Sequence, residues 1–112
     1  MTFTEINNIV SAIATSLKCD YAYSAFKDGK DRNSFIVFYY SGSSDLYADG
    51  LNYENIEGLT IEFYSSTKEI ESEQTIQSSL NSNGLVYDKV ENWINDELLY
   101  MTTYTMEVLI NG

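Results

Sequence analysis

Carboxylates are the residue type best supplied for chemistry here, with 17 aspartates and glutamates against six lysines and arginines and no histidine. Two pairs sit close enough in sequence to consider as acid and base, Glu71 with Glu73 and Asp96 with Glu97. Helix residues two apart do not face each other, so Glu71 and Glu73 are badly placed to share a proton. An acidic helix N-terminus and a polar turn account for both pairs without catalysis. Lack of histidine removes imidazole acid–base chemistry and histidine metal sites. Hydroxyl groups are plentiful but have no evident activator. The glycines (29, 42, 50, 58, 84 and 112) are scattered rather than grouped into a phosphate loop. Asp45, Asp49 and Gly50 superficially outline a calcium loop, yet Tyr47 falls at its third position and Ile56 at its twelfth, where a carboxylate should stand. Cys19 is alone, which rules out an intrachain disulfide or a cysteine zinc site and suits a small buried hydrophobe. The sequence therefore predicts no catalytic residue, no cofactor and no metal.

The 112 residues, 44% of them hydrophobic, suffice for one domain spanning 1–112 with a real core. No apolar run approaches the roughly 20 residues of a membrane helix. The start MTFTEINNIV lacks the basic and apolar regions of a signal peptide, so a cytoplasmic product is expected. Net charge is −11, and it is uneven. Up to Asn33 four basic residues balance four acids, whereas the rest holds 13 acids against Lys68 and Lys89. Such a surface repels a phosphate backbone, which argues against sequence-specific nucleic-acid binding.

Periodicity predicts an α+β fold, a mostly antiparallel sheet of about five strands with two helices on one face. Thr2–Leu17 reads as a helix with a Thr2/Glu5 capping box and an apolar stripe through Ile6, Val10 and Ile13. Tyr21–Phe26 is a short strand, and Asp28-Gly29 signals a hairpin into the strand Ser34–Tyr40. Ser41–Asn52 reads as a loop, and Asn55–Ser65 as a strand. Thr67 is expected to cap a second helix whose apolar positions are Ile70, Ile76 and Leu80 and whose end is Asn83-Gly84. Leu85–Asn92 is the next strand, followed by a turn at Ile94–Glu97. On the long last strand, Leu98, Tyr100, Thr102, Tyr104, Met106, Val108 and Ile110 share a face.

The strand Ser34–Tyr40 is apolar on both faces, Phe35, Val37 and Tyr39 on one and Ile36, Phe38 and Tyr40 on the other. Two helices in so small a domain cover one face, so the other is expected to meet a neighbouring subunit. The loop carries Leu46, Tyr47 and Leu51 with no helical or strand period to bury them, which marks a contact surface. Loop aromatics and Trp93, beside a turn, suit partner contact. The expected partner-facing residues are Leu46, Tyr47, Asp49, Leu51 and Tyr53, with Ile36, Phe38, Tyr40 and Trp93.

Read together, the second half resembles the tail terminator (tail completion) proteins of siphophages and prophages of Gram-positive bacteria. The matching residues are Tyr47-Ala48-Asp49, Tyr53, Ile61-Glu62-Phe63-Tyr64 and Lys68-Glu69, then Glu73, Leu80 and Gly84-Leu85-Val86-Tyr87. Lys89, Glu91, Ile94, Glu97-Leu98-Leu99-Tyr100 and Tyr104 complete the set, which runs from about Phe35 to the C-terminus. Asn33-Ser34 stands where the family commonly has a proline. The resemblance implies a non-enzymatic virion protein, assembled in the host cytoplasm. It would form a homo-oligomeric ring, a hexamer, at the head-proximal end of the tail tube. Its partners would be the tail tube protein and a head-side connector or stopper, with DNA passing through the lumen without specific binding and no membrane involved. Two alternatives stay open at this level: a connector or stopper of the same neck, and a small monomeric α+β binding module.

Overall fold

The computed structural model describes residues 1–43, 46–48, 51–54 and 56–110. The elements are α1 (Phe3–Leu17), β1 (Asp20–Tyr23), β2 (Ser34–Ser43), β3 (Leu46–Ala48), β4 (Leu51–Glu54), β5 (Ile56–Ser65), α2 (Ile70–Ser82), β6 (Tyr87–Ile94) and β7 (Leu99–Leu109). Five strands form one sheet in the order β1-β2-β5-β7-β6, and β3 and β4 form a separate two-stranded ribbon. The fold is α+β, as the periodicity predicts.

Helix α1 begins with the expected capping box. The Glu5 amide donates to Thr2 Oγ1 at 3.1 Å, and the Thr2 amide donates to Glu5 Oε1 at 3.2 Å. Its stripe of Ile6, Val10, Ile13 and Ala14 lies against one sheet face, made by Ile36 and Phe38 of β2 and Leu59, Ile61 and Phe63 of β5. Tyr104, Met106 and Val108 continue that face on β7, and Ile76 and Leu80 of α2 close the core. Strict alternation along β7 thus puts its expected face inward. Leu98 is the exception: it sits before the strand with φ +54 and is exposed.

Three expectations need correction. First, β1 and β2 are parallel, Asp20 facing Phe35 and Tyr23 facing Phe38. The Asp28-Gly29 turn exists, with Gly29 at φ +69 and the Lys30 amide donating to Asp28 Oδ1. It lies inside a connection, residues 24–33, long enough to carry the chain back along a four-residue strand. Second, Thr67 does not cap α2. The cap position is Glu69, without a side-chain cap bond. Its carboxylate is instead a hub that accepts from Ser65, from Ser34 at 3.1 Å and from Ser72 at 3.3 Å. Third, Ser41–Asn52 is not a plain loop. β2 runs on to Ser43, and the chain continues into the β3–β4 ribbon before returning as β5. β2 and β5 shift register between Tyr40 and Gly42, and beyond that shift Gly42 faces Gly58. Gly42 has φ +142, which favours glycine, and a Cβ on Gly58 would lie 2.8 Å from Ser41 Oγ and 3.2 Å from Gly42 O. This bulge is where the arm departs from the sheet.

Glu73 of α2 is 4% exposed and ties the helix to the edge strand β6. It pairs with Lys68 at 2.5 Å and with Lys89 at 2.9 Å, and Lys68 also pairs with Glu91. Burial pushes its carboxyl up, but the hydrogen bonds from Lys68 and Lys89 outweigh that and hold it below the usual glutamate range. Its folded pKa is thus depressed, so its contribution is complete at neutral pH. That contribution is lost as pH falls from the ordinary glutamate value into the region below it. Glu73→Gln is expected to lower unfolding free energy by about 2 kcal/mol at pH 7, less than the roughly 3–5 kcal/mol of a fully buried pair because both lysines reach water. Urea titration at pH 7 and pH 3 should show the difference shrinking in acid. Gly42→Ala should lose about 1–2 kcal/mol through backbone strain, read by the same titration.

Candidate assembly surface

Because α1 and α2 cover the face bearing Ile36 and Phe38, the opposite face of the sheet carries Phe35, Val37 and Tyr39 of β2. Register adds Tyr64, Glu62 and Thr60 of β5 directly across from them. β7 then contributes Met101, Thr103 and Thr105, and β6 contributes Val90 across from Thr103. Among the described residues no helix crosses this face. Phe35 stacks on Tyr64 with ring centres 4.6 Å apart, and Phe26 meets Phe35 edge-on at 5.5 Å. Glu62 sits in the middle of this surface. Its Oε2 accepts from the Tyr39 hydroxyl at 2.9 Å and its Oε1 from the Tyr64 hydroxyl at 2.8 Å. Burial and then the Glu62 carboxylate raise both tyrosines, so the hydroxyls keep their protons and remain donors.

The 24–33 connection folds over one end of this face. Arg32 holds it there, pairing with Asp20 at 2.9 Å and Asp28 at 2.6 Å while its guanidinium lies 3.8 Å above the Phe26 ring. The hydrogen bonds from Arg32 and the Lys30 amide keep the Asp28 carboxyl well below its usual range. Between connection and sheet lies an open cavity of about 310 Å³, walled by Phe26, Phe35, Val37 and Tyr64. Lys30, Arg32, Glu62 and Glu97 supply its charged groups.

The sequence-derived interface residues divide. Ile36 and Phe38 are 0% and 1% exposed beneath α1, so they are core and not partner-facing; the helix stripe has taken that face. Tyr40 shares it, half-buried beside Phe3 and Tyr23 with ring centres 6.0 and 6.2 Å away. Phe35, Val37 and Tyr39 point to the face without helix cover, where Phe35 and Tyr39 are half-buried and Val37 is buried. Trp93 is 47% exposed on the edge strand β6, where it meets Tyr100 at 4.8 Å. Val86, Val90 and Leu98 are also exposed along or beside that edge. Leu46 and Tyr47 stand on β3 and Leu51 and Tyr53 on β4, while Asp49 lies outside the described residues, as do Asp45 and Gly50. Sequence reading missed Glu62 and Tyr64 as part of this surface. Alternation put them on one face of β5, but only the β2–β5 register brings them beside Tyr39 and Phe35.

Among the described residues no group of three or more cysteines, aspartates and glutamates is arranged to hold a metal. Among the described residues no helix is long and apolar enough to cross a membrane. Burial pushes the half-buried Cys19 thiol up to about 11, helped by the negative charges of Asp20 and Glu69. Its alkylation by iodoacetamide at pH 8 should therefore run on the order of a hundredfold slower than that of the urea-unfolded chain. Equal rates would contradict this placement.

No protein-family model matches the chain, and no curated protein sequence does either. A solved structure does share the fold. A chain from the virion of a native gene transfer agent particle superposes with a TM-score of 0.71 at 8% identity, covering 96% of this chain and 92% of that one. The sheath/tube terminator of an extracellular contractile injection system, PVC, in its extended state aligns over all of this chain at 8% identity. Its TM-score of 0.41 is too low to define a common fold, and this chain spans 58% of it. The molecule thus has an α+β fold that a virion component also has.

Proposed function

We propose that this chain is a structural tail terminator, assembling into a homo-oligomeric ring, a hexamer, at the head-proximal end of a phage-type tail tube. The observation that carries the reading is the sheet face no helix covers, where Phe35, Val37, Tyr39, Tyr64 and Met101 are half-buried or better within a single chain. A second cover is the natural completion of such a face, and copies of the chain supply it in a closed ring over the part that the 24–33 connection and its cavity leave open. Support comes also from the family-like order of residues from Phe35 onward and from the fold shared with a virion chain.

In this reading the ring stops tube polymerisation and offers its other side to the head connector or stopper. Its activity is burial of surface, without catalysis. The β3–β4 arm, with Leu46, Tyr47, Leu51 and Tyr53, reaches a neighbouring subunit or the tube. The 13 acids beyond Asn33 give the lumen an acidic wall past which DNA slides without sticking. The protein works in the virion, at the head-proximal end of the tail, after assembly in the host cytoplasm.

Imaging the purified protein with tail tubes tests the proposal: it should cap one end of each tube. Binding along the tube wall, or none, would count against it. Replacing Leu46 and Tyr47 together with serine should reduce the ring fraction at least about tenfold by native mass spectrometry while leaving the unfolding midpoint within about 2 °C, since in this reading they serve association rather than folding. A solved ring with acids outside and a basic channel would remove the acidic-lumen component.

A further inference from the structure

We propose that the cavity between the 24–33 connection and the open sheet face receives a cationic side chain, lysine or arginine, presented by a different protein. The inference stands on the cavity alone and does not depend on ring formation. Glu62 is a carboxylate fixed in place before any partner arrives, because each oxygen accepts one tyrosine hydroxyl. Those bonds leave further acceptor capacity on both oxygens. No described cation pairs with Glu62, nor with Glu97, the second carboxylate of the same cavity. The neighbouring guanidinium of Arg32 is already committed to Asp20, Asp28 and the Phe26 ring. Lys30, at the rim, lies beyond ion-pair distance of either carboxylate. What remains is the half-buried Glu62 and the exposed Glu97, neither in an ion pair, beside the walls of Phe35, Val37 and Tyr64. Aromatic and aliphatic walls accept the methylene stem of a long basic side chain while the carboxylates meet its head.

Charge decides the kind of partner. At −11 the chain draws basic surfaces toward itself and repels acidic ones. A second copy is a poor donor. Among the described residues, the cations outside ion pairs are Lys18, Lys27 and Lys30, and Lys30 belongs to the cavity itself. The occupant is therefore a basic side chain of another protein, and Glu62 is the residue that selects it.

Amide NMR titration of the intact chain tests this with acetyl-arginine amide as the probe, and with acetyl-norleucine amide and acetyl-glutamate amide as controls. The arginine probe should shift the signals of Phe35, Val37, Glu62 and Tyr64 saturably, and the controls should not. Glu62→Gln should weaken the arginine titration about fivefold or more, the loss of one charged contact, with the unfolding midpoint kept. Equal shifts from the norleucine probe, preference for the glutamate probe, or an unaltered Glu62→Gln titration would each overturn the proposal. Should Glu62→Gln fail to fold, Glu97→Gln decides it, since that side chain sits in the turn between β6 and β7. A weakened arginine titration then upholds the cation site and an unchanged one sinks it. Ring formation, followed separately by native mass spectrometry, reports on the terminator reading and not on this one.

Discussion

The structure depends on one-sided cover of a five-stranded sheet. The α1 stripe of Ile6, Val10 and Ile13 presses on Ile36, Phe38 and Ile61, all with at most 2% of their surface exposed. Each such side chain contributes on the order of 1.5–3 kcal/mol through removal from water. Two helices of 15 and 13 residues can do this for one face only. Everything distinctive about the molecule follows from the face they leave. There the chain uses tyrosines, a central carboxylate and a folded-over connection to make a surface tolerable in water yet rich in aromatic area.

The sheet's two edges are handled differently. β1 is four residues long and its connection is held by Arg32. β6 is eight residues long and exposed along its interior, with Asp88, Lys89 and Glu91 among Val90 and Trp93. Charges on an edge discourage indiscriminate strand pairing. Here two of them, Lys89 and Glu91, are also anchored to the α2 side through Glu73 and Lys68, so protection of the edge and attachment of the helix share the same ions. Tyr104, next to that cluster, is fully buried, and its hydroxyl finds no partner among the described residues.

Much of the fold was legible because period and capping are local signals. Thr2 with Glu5, the alternation from Tyr100 to Val108, and Gly84 ending α2 each lie within a few residues of what they specify. The failures all involve distant partners. Asp28-Gly29 specifies a turn but not the direction of the strand that follows it. Thr67 had the right chemistry for a cap, yet Ser65, Ser34 and Glu69 assembled across three elements to take over that end. Ile36 and Phe35 are equally apolar neighbours, and nothing local says which of them α1 will cover. The arm was hidden for a similar reason: its glycines and aspartates resemble a loop, and strand pairing of Tyr47 with Asn52 is not a property of either residue alone.

The Gly42–Gly58 crossing has a mechanical consequence. Beyond it β5 runs unbroken from the base of the arm through the centre of the sheet, laddered to β2 on one side and β7 on the other. A pull along β5 acts on the strand axis, perpendicular to those hydrogen bonds. Such a load is shear: the ladders share it along their length and must give way together, instead of unzipping one rung at a time. A load delivered along β5 is consequently met in the strongest direction the sheet offers, and it is borne by the body of the protein as a whole.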